Sequence, residues 1–179
     1  MDLVDALEQT YGQTEKVIAN ISDADLTKPT PCADWNVQTL LEHLVNVTLQ
    51  FPALLRGEEP DWTAKPPLAD RVGEWREASA ANLAAWRVPG AVETPSNMMP
   101  GMNMIDFNLC DAVVHTWDLA HAIDQDPGLD RDVAEVVLDV WVHAPMDDAR
   151  KYGAFGAEVE VSDNARPLDK LVALLGRKP

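Results

Sequence analysis

The chain of 179 residues carries 30 acidic against 14 basic side chains, a formal net charge of -16, with a hydrophobic content of 46%. This length and composition predict one globular domain over 1–179, with a core large enough to fold without disulfides. Cys32 and Cys110 are therefore expected to be free thiols. The negative charge argues against nucleic acid and anionic membrane surfaces as partners. Without a signal-peptide pattern or a membrane-spanning apolar run, the chain is expected to be cytoplasmic.

Apolar residues recur at helical spacing in five segments. They predict helices over 3–21, 37–55, 72–86, 105–123 and 133–141. Asn36 is expected to cap the second helix and Pro52 to end or kink it, while Pro167 and Gly176 suit the start and stop of a last short helix. Long amphipathic helices without an alternating strand pattern predict an all-α fold, a four-helix bundle with an extra short helix and a C-terminal tail. The connection before the fourth helix carries four methionines, interpreted as adaptable packing or as a lid: Met98, Met99, Met102 and Met104.

The fourth helix carries a narrow polar wedge between two apolar faces. Asp111 and His115 are four residues apart, a spacing that stacks a carboxylate and an imidazole on one helix face. Asn108 and Asp118 belong to the same wedge. A helix apolar on two sides is normally buried, and a buried carboxylate needs an arginine, a lysine or a metal ion as partner. Because basic residues are few, a divalent metal is a candidate for this role.

A third metal ligand has to come from another helix. His43 is the best choice, because it lies at the margin of the apolar face of the second helix. His121 falls on the other side of the fourth helix from His115, and His143 is expected to be exposed or to cap the fifth helix. Two imidazoles and the carboxylate of Asp111 would leave open coordination positions, as catalytic zinc, iron or nickel sites do.

The polar wedge also has readings without a catalytic metal. A single histidine on a partly buried helix is more often a hydrogen-bonded structural residue than a ligand. Asp118 can act as a fourth ligand, as an acceptor that orients the imidazole of His115, or as a partner of an arginine or a backbone N–H. We favour the orienting role for Asp118.

Three segments of the chain resemble, in order and spacing, the DinB-like superfamily. They are TPCADWNVQTLLEHLV, MPGMNMIDFNLCDAVVHTWDLAHAIDQ and ARPLDKLVALLGRKP. Within that superfamily they are most similar to the metal-binding domain of the mycothiol-dependent maleylpyruvate isomerase type. The resemblance implies a four-helix bundle with a divalent metal, commonly zinc, bound by His43, Asp111 and His115. The acid of this family is usually glutamate, where this chain has the shorter Asp111.

The resemblance implies a metal-dependent thiol S-transferase or isomerase that acts on a small electrophile. A low-molecular-weight thiol such as mycothiol would be the cosubstrate, activated as a thiolate on the metal. Asn108 is expected to contact substrate, and Asp118 to tune His115 from behind. The alternatives are a metal-binding protein without catalysis and a metal-free dimeric helical module. A homodimer is expected because the fourth helix is apolar on two faces.

Overall fold

The computed structural model describes residues 1–96, 99, 101–151 and 155–179, and residue 148 by its backbone alone. The described part of the chain contains seven helices: α1 (Leu3–Ala19), α2 (Val37–Leu55), α3 (Arg71–Trp86), α4 (Met104–Ala122), α5 (Arg131–Trp141), α6 (Met146–Lys151) and α7 (Pro167–Leu174). These residues form no β-strand, so the predicted all-α fold is confirmed. Helix α6 was not predicted, since its six residues are too few to show a helical repeat. No described helix is both long and apolar enough to cross a membrane.

The four long helices form a closed bundle. Helix α1 packs against α3 and α4, and α2 packs against the same two helices, so each helix has two neighbours. Helix α5 contacts α4 and packs against α7, which places the C-terminal helix outside the bundle. The largest fully buried side chains include three tryptophans: Trp75, Trp86 and Trp141. The predicted four-helix bundle is confirmed, and α4 lies within it between α1 and α2.

The two helices that carry the candidate ligands begin at defined caps. The side chain of Asn36 accepts a hydrogen bond from the backbone N–H of Thr39 at 2.9 Å, which confirms the predicted cap of α2. At α4 the carboxylate of Asp106 accepts from the backbone N–H of Asn103 at 2.8 Å. These caps set where each helix starts and therefore which residues face the partner helix.

Pro52 lies inside α2 and does not end it, because the helix continues to Leu55. Proline has no N–H, so it leaves the carbonyl of Thr48 without its usual helical donor. The side chain of Asn82, from α3, donates to that carbonyl at 2.8 Å. Pro52 was expected to end or kink α2; it does not end the helix, which reaches Leu55 as in the predicted range 37–55, because a neighbouring helix supplies the missing hydrogen bond.

The chain turns sharply after α7 at Gly176, as predicted. Gly176 has a φ of +89°, and its N–H donates to the carbonyl of Ala173 while the N–H of Arg177 donates to that of Val172. This is the Schellman arrangement. It favours glycine because glycine has no Cβ and adopts the left-handed conformation without a steric penalty. A Cβ at Gly176 would also lie 2.6 Å from Cα of Gly156. The turn points Arg177 back towards the bundle.

The methionines of the long connection that the structure describes are all buried: Met99, Met102 and Met104. Met98 lies outside the described residues. Burial of these three agrees with the packing interpretation, because thioethers fill irregular gaps in a core.

Candidate metal centre

Helices α2 and α4 bring His43, Asp111 and His115 together at one point of their interface. Oδ1 of Asp111 lies 3.5 Å from Nε2 of His43 and 3.4 Å from Nε2 of His115. The ligating atoms of the three residues all lie within 4.8 Å of one another. These residues can hold a metal ion, and their role as its ligands stays a prediction.

The separations of these atoms agree with the spacing of ligands around a bound metal. Bonds of about 2.0 to 2.2 Å to nitrogen and oxygen in a tetrahedral site place two ligands roughly 3.4 Å apart. The observed distances of 3.5 and 3.4 Å agree with that spacing. They are long for N–H···O hydrogen bonds, which favour about 2.9 to 3.0 Å. The donor set, two imidazoles and one carboxylate, is one that zinc and similar divalent metals use.

The other nitrogen of His115 contacts a second carboxylate. Nδ1 of His115 lies 3.0 Å from Oδ2 of Asp118, so Nε2 is the nitrogen that faces Asp111. Asp118 is fully buried and also accepts hydrogen bonds from Arg177, from Nη2 to Oδ2 at 2.8 Å and from Nε to Oδ1 at 3.2 Å. Because Asp118 is occupied by these two partners, it is placed to orient His115 rather than to join the group around Asp111.

The charges of the cluster shift its pKa values in opposite directions. Burial alone would lower the pKa of His115, but the carboxylates of Asp111 and Asp118 raise it to about 9. Burial alone would raise the pKa of Asp111, but the charge of His115 and the long contacts from His115 and His43 to its carboxylate hold it below the usual range. In the metal-free protein His115 is therefore an imidazolium at neutral pH, and a metal has to displace its proton.

Arg177 was not singled out from the sequence. A buried carboxylate on α4 was expected to find an arginine, a lysine or a metal, and Arg177 is the partner that Asp118 finds. The sequence offers one signal, the glycine stop at Gly176, after which the chain can turn inwards. Arg177 also lines a groove of about 530 Å³ together with Lys28, His121 and Lys178.

Cys32 and Trp35, from the loop before α2, also lie beside the cluster. The sulfur of Cys32 lies within 4.8 Å of ligating atoms of His115 and Asp118. Burial raises the pKa of Cys32 to about 11, so the thiol stays protonated at neutral pH. The ring of Trp35 lies 4.6 Å from that of His43 and 6.2 Å from that of His115, between ring centres. Cys32 was predicted only to be a free thiol, which it is, and no spacing in the sequence links Cys32 or Trp35 to His115.

Asn108 lies one turn before Asp111 and exposes 1% of its surface. Its amide donates to the hydroxyl of Tyr11 at 3.0 Å, and its carbonyl accepts from Nε1 of Trp86 at 2.7 Å. These contacts place Asn108 in a polar network within the bundle. The substrate contact expected for Asn108 stays a prediction.

The two remaining histidines lie apart from the cluster. His121 is exposed and its ring stacks on that of Trp117 with 4.8 Å between ring centres. His143 is exposed just after α5, as predicted. Neither residue belongs to a metal-ligand group among the described residues.

The fold and the cluster define a helical-bundle protein with a three-residue group that could hold a metal ion. A family model described as the mycothiol maleylpyruvate isomerase N-terminal domain matches residues 7–120. The match spans more than half of the chain, which therefore belongs to this family of DinB-like domains. The resemblance inferred from the sequence motifs is confirmed.

Two proteins of Mycobacterium tuberculosis are similar to this chain over nearly their whole length. They are "Uncharacterized protein Rv0738" of strain ATCC 25618 / H37Rv and "Uncharacterized protein MT0763" of strain CDC 1551 / Oshkosh. Each is 28% identical over 187 residues, an alignment that covers 99% of this chain and 98% of the relative. No solved structure matches the chain.

Proposed function

We propose that this protein is a divalent-metal-dependent enzyme that transfers a low-molecular-weight thiol such as mycothiol to a small electrophile, or isomerises that electrophile. The observation that carries the proposal is the convergence of His43, Asp111 and His115 at metal-ligand spacing. Membership of the mycothiol maleylpyruvate isomerase N-terminal domain family supports thiol and isomerase chemistry. We assign zinc as the metal because two imidazoles and a carboxylate suit it, with nickel or iron as the alternatives.

The ligand group is partly accessible to solvent. The side chain of His43 is 27% exposed and that of Asp111 is 23% exposed, while that of His115 is 11% exposed. Structural zinc sites normally close with four protein ligands, whereas catalytic sites keep three and an open position. Three converging ligands with partial exposure support a site that an external ligand can reach.

Each residue of the site has a separate role in this proposal. His43, Asp111 and His115 would hold the divalent metal, which would lower the pKa of a coordinated thiol and so supply the nucleophilic thiolate at neutral pH. The Nδ1–H of His115 donates a hydrogen bond to Asp118, so Nε2 is the nitrogen that would bind the metal once its own proton leaves. His43 presents Nε2 from α2, and the ring of Trp35 packs against the ring of His43.

Thiol-transfer assays test the proposal. The zinc-loaded protein is assayed with several thiols, mycothiol included, and with maleylpyruvate among small electrophiles, beside His115→Ala and the exposed control His143→Ala. We expect turnover in the wild type and in His143→Ala, with loss in His115→Ala. Turnover that survives His115→Ala, or no turnover with any pair, contradicts the proposal.

A cobalt-substituted sample distinguishes the proposed enzyme from a metal-binding protein without catalysis. If an external thiol reaches the metal, adding that thiol changes the visible absorption of cobalt. An unchanged spectrum with metal bound would favour a metal-binding protein without catalysis, in which the ion joins α2 and α4 and adds stability.

A further inference from the structure

Arg177 belongs to the C-terminal segment, outside the residues 7–120 that the family model matches. Its side chain is 9% exposed, although arginine is rarely buried unless it is paired. Two of its nitrogens donate to the two oxygens of Asp118, from Nη2 at 2.8 Å and from Nε at 3.2 Å. The remaining terminal nitrogen, Nη1, donates to the carbonyl of Leu175 at 3.1 Å. The guanidinium is therefore held in one orientation by three contacts.

One oxygen of Asp118 serves both Arg177 and His115. Oδ2 accepts from Nη2 of Arg177 and lies 3.0 Å from Nδ1 of His115. Nε2 on the far side of that imidazole lies 3.4 Å from Oδ1 of Asp111. A continuous line of contacts thus runs from the C-terminal segment to the candidate metal ligands.

The geometry of Arg177 restricts how Asp118 can turn. A planar guanidinium that binds both carboxylate oxygens fixes the plane of the carboxylate, which a lysine as a single point donor does not. A fixed carboxylate in turn fixes the ring of the histidine that donates to it. Without Arg177, the buried carboxylate of Asp118 would retain one charged partner, His115, and would be free to rotate.

We propose that Arg177 is a positioning residue of the metal centre, and that it strengthens metal binding through Asp118 and His115. The C-terminal segment is then part of the site, although it lies outside the bundle that supplies the ligands. This inference rests on the proposed metal centre, and it holds whether or not the centre catalyses thiol transfer.

Metal affinity tests the proposal directly. Zinc dissociation constants are measured by competition with a chromogenic chelator for the wild type, Arg177→Met and Arg177→Lys. The control is Arg166→Met, because Arg166 makes a similar two-nitrogen pair with Asp169 at the exposed start of α7. We expect about tenfold weaker binding in Arg177→Met, at the lower end of what loss of an outer partner costs, with partial recovery in Arg177→Lys and no change in Arg166→Met. Equal affinity in Arg177→Met and the wild type overturns the proposal.

A double-mutant cycle shows whether Arg177 acts through Asp118. Arg177→Met is introduced into Asp118→Asn, and zinc affinity is measured for all four proteins, with thermal unfolding recorded to confirm that each is folded. We expect Arg177→Met to cause no further loss of zinc affinity in the Asp118→Asn protein, because both substitutions break the same line of contacts. Additive losses would mean that Arg177 acts by another route, and would overturn the proposal.

Nitrogen NMR of the histidine side chains separates a positioning role from general destabilisation. The chain has four histidines, so the signals of His115 can be assigned by His115→Ala. In the wild type we expect His115 to carry a proton on Nδ1 that is protected from exchange, and we expect faster exchange in Arg177→Met. Unchanged protection in a folded Arg177→Met protein overturns the proposal. Absence of zinc binding in the wild type would instead overturn the metal centre itself, and this NMR measurement on the metal-free protein keeps the two outcomes apart.

Discussion

Asp118 and His115 lie one turn apart on α4, and Oδ2 of Asp118 is 3.0 Å from Nδ1 of His115. The carboxylate of Asp118 stays ionised: burial alone would raise its pKa, but hydrogen bonds from His115 and Arg177 keep it lowered. An ionised acceptor places the imidazole proton on Nδ1, so the lone pair of Nε2 becomes available once the second proton leaves. The nitrogen of His115 that faces Asp111 is thereby the one that could bind a metal.

Replacing Asp118 by asparagine should destabilise the metal-free protein strongly. The substitution leaves the buried guanidinium of Arg177 without its counter-charge, and breaking a buried pair costs about 3 to 5 kcal/mol. Urea denaturation measures the change in free energy of unfolding. Asp169→Asn is the control, since it breaks the pair with the exposed Arg166, and exposed pairs contribute about 0 to 1 kcal/mol. Equal losses in the two variants would show that the Asp118 pair adds nothing beyond a surface contact.

Replacing Asp111 by asparagine should weaken zinc binding while leaving the fold intact. The amide has the shape of the carboxylate but no charge, and the metal would lose its one anionic protein ligand. We expect a loss beyond the 10- to 100-fold that removal of an outer partner costs. Calorimetric titration with zinc measures it, beside Asp139→Asn at an exposed position of α5. An Asp111→Asn protein that binds zinc like the control would remove Asp111 from the ligand set.

Replacing Gly176 by alanine should destabilise the protein and weaken zinc binding together. Alanine at a φ of +89° costs roughly 1 to 2 kcal/mol, and its Cβ would meet Cα of Gly156 at 2.6 Å. The shift would move Arg177 away from Asp118. Gly12→Ala is the matched control, because Gly12 lies in α1 with nothing near a new Cβ, and there alanine should stabilise by roughly 0.5 to 1 kcal/mol. Thermal unfolding should show a lower Tm for Gly176→Ala and a higher Tm for Gly12→Ala, and zinc titration should show weaker binding only for Gly176→Ala. A Gly176→Ala protein with unchanged Tm and unchanged zinc affinity would argue against the role of this turn.

Stabilisation by zinc should grow as the pH rises from about 6.5 to about 9. In the metal-free protein the pKa of His115 is raised from 6.5 to about 9, so the stability from its charged form is complete below pH 6.5 and is lost as pH rises through 9. Zinc needs the neutral imidazole, so the metal-bound protein does not lose that stability. The difference in Tm with and without zinc, measured across this range, should therefore widen. If the difference in Tm between the zinc-bound and the metal-free protein narrows with rising pH, the result contradicts the raised pKa of His115.

Helical periodicity predicted most of the fold, because an amphipathic helix buries one face and the apolar residues of that face recur every three or four positions in the sequence. The same logic located Asp111 and His115, whose spacing of four places them on one face. It could not show how the helix passes Pro52, where the deciding contact comes from Asn82 on another helix. Local patterns carry no information about a hydrogen bond donated from across the bundle.

The surroundings of the cluster were harder to predict than the cluster itself. Asp118 was expected to need a partner, but Arg177 is far along the chain, and only the turn at Gly176 brings it back. Cys32 reaches His115 through a loop whose course follows no periodic pattern. Contacts of this kind depend on tertiary packing. Composition and spacing therefore predict that a buried carboxylate such as Asp118 needs a partner, but they do not predict which residue that partner is.

The most direct test of the metal centre is the metal content of the purified, untagged protein by elemental mass spectrometry. The wild type is compared with His43→Ala, His115→Ala and the exposed control His143→Ala, all prepared identically. Our account predicts near-stoichiometric divalent metal, with zinc as the main element, in the wild type and in His143→Ala, and little in the other two. No bound metal in the wild type even after reconstitution with zinc, or equal metal in all four proteins, would contradict the assignment of His43 and His115 as ligands.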